Sequence, residues 1–308
     1  MCSSDLEVVG QLCGHRGTAA RGANRTDGNW IELHAPGKIN LTLAVFDRRD
    51  DGYHALHSVV APLEFGDRIT MSLATDAGSD ELRLAGVPID ETGENLIRIA
   101  LRELRRILPL PPLRIVLEKR LPVAAGLGGG SSDAAAALGG ALRLVGVTLD
   151  RDRLTEVASR VGSDVPLFLT NGPALVEGRG ERITPLAPFA APGAGVLLVT
   201  PAIPLRTPDV FAAFAAGARD PLLASALSSS RHLAEEMRRP LSAAQLLQRA
   251  GALASANQLL APARAVAPWL RPFGQGLGRL LGRPVALSGS GPTLFVLYPS
   301  RSEAEGAA

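Results

Sequence analysis

Cysteine is nearly missing from this chain. Cys2 and Cys13 are the only two, so no disulfide framework and no cysteine metal site is available, as suits a reducing compartment. Lysine is as scarce. Lys38 and Lys119 stand alone among 32 basic residues, so arginine is the default cation. A lysine inside a motif is then informative, because it supplies a compact point charge where arginine supplies a fork. Aromatics are few, at 4%, and Tyr53 and Tyr298 are the only tyrosines. No apolar run is long enough to span a bilayer. No basic segment followed by an apolar stretch opens the chain, which gives no secretory signal. Neither sign of charge dominates, and a net charge of +2 provides no field for nucleic acid or a membrane surface. No His, Cys, Asp and Glu cluster has metal-ligand spacing, and there is no Gly-x-Ser-x-Gly elbow. A cytoplasmic protein with a small-molecule partner, as a monomer or weak homodimer, is the expectation.

What is present is a large globular composition. The 308 residues, 46% hydrophobic and 20% charged, suffice for two domains with a substantial core. Residues 1–29 are polar and aperiodic and read as a disordered extension; Met1–Leu6 in particular reads as foreign to the fold. Alternation predicts strands at Ile31–His34 and Ile39–Val45, then at Leu56–Phe65 and Asp67–Ala74 with a break at Gly66. Helical spacing covers Glu94–Ile107, Ser132–Val145 and Asp152–Val161. Val176–Ile183 reads as a hairpin around Gly178–Gly180. Ala187–Gly195 is rich in Pro, Gly and Ala and marks a domain boundary, with 30–188 before it and 189–308 after. The second part runs from a strand at Val196–Thr200 through alanine-rich helices to a strand, turn and strand at Val285–Tyr298. The class is α+β in two domains.

The stretch Leu121–Ala136, LPVAAGLGGGSSDAAA, carries the strongest signal. Gly126, Gly128, Gly129 and Gly130 are followed by Ser131 and Ser132 and an alanine run. A glycine loop with bare amide N–H groups, opening into a helix N-terminus, is a cradle for phosphate. It is not a Walker loop, which needs a Gly-Lys-Ser/Thr end, nor a Rossmann fingerprint, which needs a third glycine where Ser131 stands. Lys38 in APGKIN enters a strand beside Pro36, Gly37 and Asn40. Asp164 in GSDVPLFL lies against an apolar run, which predicts a partly buried carboxylate in need of a cation or a proton, or else a helix cap. Asp51-Gly52-Tyr53-His54 is a turn with an aromatic and an imidazole at its exit. Ser288-Gly289-Ser290-Gly291 is a second Gly/Ser turn, and with the first it suggests two backbone-lined anion surfaces from two domains.

In this order the segments APGKINLTLAV, RRDDGYHALHSV, ENLIRIA, LPVAAGLGGGSSDAAAAL, GSDVPLFL, EGRGE, TPDVF and SGSGPTLF resemble the GHMP kinase superfamily. They extend from Trp30 to Tyr298. The resemblance implies a two-domain GHMP kinase fold, the N-terminal domain like ribosomal protein S5 domain 2 and the C-terminal one ferredoxin-like, with the active site between them. It implies ATP as phosphoryl donor with Mg²⁺ bridging its phosphates. DGYH and the long GLGGGSSDAA loop point to the branch whose acceptor is the 2-hydroxyl of a cytidine-diphosphate-linked methylerythritol, in the non-mevalonate route to isoprenoids. Carried over by position, Lys38 and Asp164 form the catalytic pair. Pro122, Val123, Ala124, Ala125, Gly126, Leu127, Gly128, Gly129, Gly130, Ser131 and Ser132 wrap the ATP phosphates, and Asn95 and Leu96 line the adenine pocket. Tyr53 and Phe211 sandwich cytosine, His54 bonds its edge, and Asn40 and Thr207 lie near the methylerythritol.

One segment departs from the pattern. The family's Asn-Asp-Leu-Glu becomes Asn257-Gln258-Leu259-Leu260, which puts a local contact in doubt. Two alternatives stay open: a superfamily kinase of homoserine or mevalonate type, and a non-catalytic nucleotide sensor on the same fold. The Tyr53, His54 and Phe211 set speaks against the first, and the presence of both Lys38 and Asp164 against the second.

Overall fold

One strand of 20 residues organises the N-terminal half. The computed structural model describes residues 6–12, 30–74, 76, 78–88, 93–217 and 223–308. The elements in order are β1 (Leu6–Gln11), β2 (Trp30–Asn40), β3 (Ala44–Arg48), β4 (His54–Leu73), β5 (Glu81–Gly86), α1 (Leu96–Arg105), β6 (Leu113–Lys119), α2 (Gly129–Leu144) and α3 (Arg151–Val161). A 3-10 turn at Pro166–Leu169 leads to β7 (Ala174–Gly178) and β8 (Arg182–Pro185). The second half holds β9 (Gly195–Thr200), α4 (Thr207–Ala216), α5 (Leu223–Glu236), α6 (Ala243–Leu247), α7 (Ala250–Leu253), α8 (Leu260–Val266), α9 (Leu270–Leu281), β10 (Ala286–Leu287), β11 (Leu294–Tyr298) and α10 (Arg301–Glu305).

Among the described residues there are two sheets. The larger has seven strands, with β2, β3, β6 and β7 all pairing with β4. The predicted break at Gly66 is absent, because β4 runs straight through it. Glycine is needed there for another reason: a Cβ would stand 2.3 Å from the Ala35 carbonyl oxygen on β2. The two strands expected at 31–34 and 39–45 are redistributed. β2 continues to Asn40, with its register against β4 shifting between Pro36 and Lys38. β5 was not foreseen; it pairs parallel to β6 at the sheet edge, with α1 in the crossover between them.

α1 and α2 cover one face of this sheet. Their shared core includes Ile97, Leu101, Leu104 and Leu138, packed on Leu33, Ile69, Met71 and Ile115. Each such leucine or isoleucine contributes ~1.5–3 kcal/mol on burial. The alanine run Ala134–Ala137 keeps α2 thin where it meets the strands. At Gly140 a Cβ would lie 2.5 Å from Leu33 Cδ1, so the helix is drawn as close as the backbone allows. α2 starts at Gly129 rather than the expected 132, which brings the glycines into its first turn.

The smaller sheet, in order β1-β9-β11-β10, belongs to the second half. Its edge corrects the expectation of a disordered 1–29. Leu6–Gln11 pairs antiparallel with Gly195–Thr200 along its whole length, and Leu12 is fully buried and bonds to Ala194. LEVVGQ is too short to signal a strand by itself; it gains its partner from β9, almost two hundred positions later. The expectations for 1–5 and 13–29 lie outside the described residues. Two apolar clusters then join both halves: Leu12, Ile39, Val59, Leu63, Leu121 and Leu127 pack with Val196, Leu198, Met237 and Phe295, and Leu43 and Val45 pack with Leu205, Val210 and Leu259. No helix among the described residues is long and apolar enough to cross a membrane.

Candidate active site

The shift in β2 aims Lys38. Pro36 lies opposite Gly66 and Lys38 opposite Pro62, so the strand kinks where the lysine leaves it. The Lys38 amide donates to the Leu127 carbonyl at 2.9 Å. Its ammonium donates to Asn40 Oδ1 at 2.7 Å and to the Gly126 carbonyl at 2.9 Å. Lysine has three N–H donors, so one is left to face the cleft. Burial lowers the Lys38 pKa, and the charge of Asp164 works against that fall. The sequence left open whether these two residues meet; they are electrostatic neighbours, 126 positions apart in numbering.

Asp164 corrects one expectation. It is exposed, not partly buried. Val165, Pro166, Leu167 and Phe168 turn into the core, and Asp164 sits on the turn just before them, facing the cleft. It does not cap the 3-10 turn either, since Val165 holds that position without a side-chain bond.

The glycine loop stands opposite this pair. Gly126 and Gly128 have φ of +77° and +72°, a conformation that L side chains resist. A Cβ on Gly126 would meet the Ser288 carbonyl oxygen at 2.3 Å, and one on Gly128 would meet Phe168 Cζ at 2.8 Å. Gly128 caps α2 with no side-chain bond, so the first-turn N–H groups of α2 have no capping side chain and point at the loop's open side. All of Pro122–Ser131 lines a cleft of about 1320 Å³, together with Asn95 and Leu96. Ser132 is the exception. It is buried, its amide bonds back to Gly128, and its hydroxyl has no partner. The second Gly/Ser turn closes over the first: Ser288 Oγ donates to the Gly126 carbonyl at 3.0 Å. The two backbone surfaces expected from separate domains thus meet at one oxygen.

Sequence reasoning passed over the floor of this cradle. Lys119, at the end of β6, is buried and holds two carboxylates, Asp67 and, at 3.0 Å, Asp133. Asp67 also accepts the amides of Arg120 and Leu121, which pins the start of the loop. Burial pushes the Asp133 carboxyl up to about 7; Lys119 pulls it down and the Asp67 charge adds to the rise. The signal was available, since Lys119 is one of only two lysines.

The far end of the cleft is aromatic. Tyr53, His54, Thr207 and Phe211 line it, as does Asn40 nearer the centre. Tyr53 is 54% exposed, a large apolar surface left open. The His54 ring lies 5.6 Å from that of Phe211 and meets Phe214 edge-on at 5.3 Å. Its Nδ1 faces the Phe46 carbonyl at 2.8 Å. A carbonyl only accepts, so Nδ1 carries the proton and Nε2 of the neutral ring is left as an acceptor. Thr207 bonds Ser290 at 2.8 Å, tying α4 to the closing turn. Asn40 is less free than its expected substrate role suggests. Its amide donates to Ser58 and accepts from Lys38.

Asn257 and Gln258, in the segment that departs from the family pattern, are both bonded. Asn257 donates to the Leu287 and Gly289 carbonyls, each at 2.9 Å, and so braces the second turn. Gln258 Oε1 accepts the Val45 amide at 2.6 Å.

Residues 95–172 match the family model described as GHMP kinases N terminal domain. The 4-diphosphocytidyl-2-C-methyl-D-erythritol kinase of Rhizobium meliloti (strain 1021) is 37% identical over 288 residues, 90% of this chain and 89% of the relative. The chain belongs to the 4-diphosphocytidyl-2-C-methyl-D-erythritol kinase family. A crystal structure of a 4-(cytidine 5'-diphospho)-2C-methyl-D-erythritol kinase superposes with a TM-score of 0.66 at 34% identity, covering 90% of this chain and 94% of that one. A homoserine kinase from Cytophaga hutchinsonii superposes at 0.59 with 18% identity and shares the fold alone. Within the family the chain keeps the two-domain GHMP kinase fold expected from its sequence.

Proposed function

We propose that this chain transfers the γ-phosphoryl group of ATP to the 2-hydroxyl of 4-diphosphocytidyl-2-C-methyl-D-erythritol. The observation that carries the reading is that the phosphate cradle, the Lys38–Asp164 pair and the aromatic residues line one cleft. Phosphoryl transfer passes through a loose transition state, so positioning and charge stabilisation matter more than covalent help. The loop fits the nucleotide because its backbone approaches where any side chain would collide. Asn95 and Leu96, at the start of α1, line the purine end. Cytosine stacks between Tyr53 and Phe211, and His54 Nε2 accepts from its exocyclic amine.

Asp164 then takes the proton of the attacking hydroxyl, being exposed to the cleft and within the field of Lys38. Lys38 meets the charge that develops on the transferring group. Asn40 orients Lys38. No cluster of His, Cys, Asp and Glu among the described residues forms a metal cage, which suits Mg²⁺, an ion that keeps waters and rides on substrate phosphates. Ser131 lines the cleft and would hold the ion, which when bound would neutralise phosphate charge. The test is phosphorus NMR of the product from ATP, Mg²⁺ and the cytidyl alcohol. A monoester at the 2-position is expected. Free inorganic phosphate, or a monoester elsewhere, would overturn the assignment.

A further inference from the structure

We propose that Arg179 binds the diphosphate bridge of the acceptor, and that it sets the demand for a nucleoside diphosphate over a free alcohol. The inference rests on the proposed function and deepens it. If cytosine lies at Tyr53 and the reacting hydroxyl at Asp164, two phosphates must cross the space between. Those charges need a cation there.

Five cations line the cleft: Lys38, Arg48, Arg98, Lys119 and Arg179. Lys119 is committed to Asp67 and Asp133. Lys38 is held by Asn40 and Gly126 and serves Asp164. Arg98 stands on α1 beside Asn95, at the nucleotide end. Arg48 donates to the Gly52 carbonyl of its own turn at 3.0 Å. Arg179 remains. It sits exposed on the turn between β7 and β8; its backbone amide donates to the Glu181 carboxylate, while its guanidinium has no ion pair among the described residues. Asp51 is within its electrostatic reach, but the Asp51 carboxylate is paired with Arg49 at 3.1 Å.

The turn places this side chain between the two ends. The Arg179 guanidinium stands over the Tyr53 ring, 5.3 Å from its centroid. One residue on, a Cβ at Gly180 would lie 3.0 Å from the Ser163 carbonyl, so the same turn packs against the residue before Asp164. Gly178 and Gly180, with φ of +69° and +115°, fix that turn tightly. A guanidinium presents paired N–H donors that match phosphate oxygens, as a lysine would not.

The test uses the intact enzyme and its Arg179→Gln and Arg179→Lys variants. Steady-state kinetics with ATP should show KM for the cytidyl acceptor raised roughly 10–100-fold in R179Q, the loss of charge-assisted bonds. The change in kcat should be far smaller, and KM for ATP should stay near the wild-type value. Competition by CDP and by cytidine gives a second readout. The wild type should favour CDP strongly, R179Q should lose most of that preference, and R179K should recover only part of it. A wild-type KM and CDP preference in R179Q would overturn the proposal. So would an equal loss for CDP and cytidine, which would reduce Arg179 to a prop for Tyr53. If the wild-type enzyme neither turns over the cytidyl acceptor nor binds CDP, the functional reading itself has failed.

Discussion

The two ends of the cleft are built from different materials. The end proposed for the nucleotide is backbone: a loop of glycines at positive φ, the bare first turn of α2, and carbonyls that leave no room for a Cβ. The acceptor end is side chain: an open tyrosine, a histidine fixed in one tautomer and a phenylalanine from α4. The two lysines repeat the contrast. Lys119 is held beneath the loop by Asp67 and Asp133, while Lys38 rests on uncharged oxygens and turns its remaining N–H to the cleft. Backbone recognition suits a triphosphate common to many kinases, and it tolerates little change. Side-chain recognition is where specificity can be altered without dismantling the fold.

Substitutions should separate these ends. The largest effect belongs to the point where they meet. Asp164→Asn should lower kcat roughly 10²–10⁴-fold with both KM values close to wild type, as read in a coupled ADP-release assay. At the nucleotide end, Gly126→Ala should cost ~2–4 kcal/mol, from the strained φ and the collision with Ser288. It should raise KM for ATP and lower the melting temperature together. At the acceptor end, Tyr53→Ala removes a stacking surface worth about 1–3 kcal/mol. KM for the cytidyl acceptor should rise while KM for ATP and the melting temperature hold. An equal rise in both KM values would dissolve the distinction between the ends.

The effect in the floor of the cradle is on stability alone and depends on pH. The folded protein keeps a proton on Asp133 up to about 7, whereas the unfolded chain loses it near 3.9. The folded state therefore binds more protons in that window, and stability falls as pH rises through it, then levels off. Asp133→Asn removes this dependence. The difference in unfolding free energy between D133N and wild type should shift in favour of the variant from about pH 4 to about pH 7, at up to ~1.4 kcal/mol per pH unit. Denaturant melts across that range measure it, and a flat difference would contradict the buried triad.

The nucleotide end was the more legible of the two in the sequence. Loop, helix and their order are local, and local glycine, serine and alanine patterns carry them. Even there Ser132 misled, because which of two adjacent serines faces inward depends on where α2 begins. Asp164 was found by its setting but its exposure was misjudged, since an apolar run can turn away from the residue that precedes it. The strand β1 and the Lys119–Asp67 pair depend on partners 52 or more positions apart, and no local pattern marks such pairings. Gln258 looked like a loss by identity, yet its side-chain oxygen accepts the Val45 amide, a partner far away in the chain that the sequence does not show.

ADP release by the wild-type enzyme with ATP and Mg²⁺, compared across the cytidyl alcohol, homoserine and mevalonate, tests the account most directly. Turnover with the cytidyl compound alone is the predicted result. Turnover with homoserine or mevalonate, and none with the cytidyl compound, would contradict it.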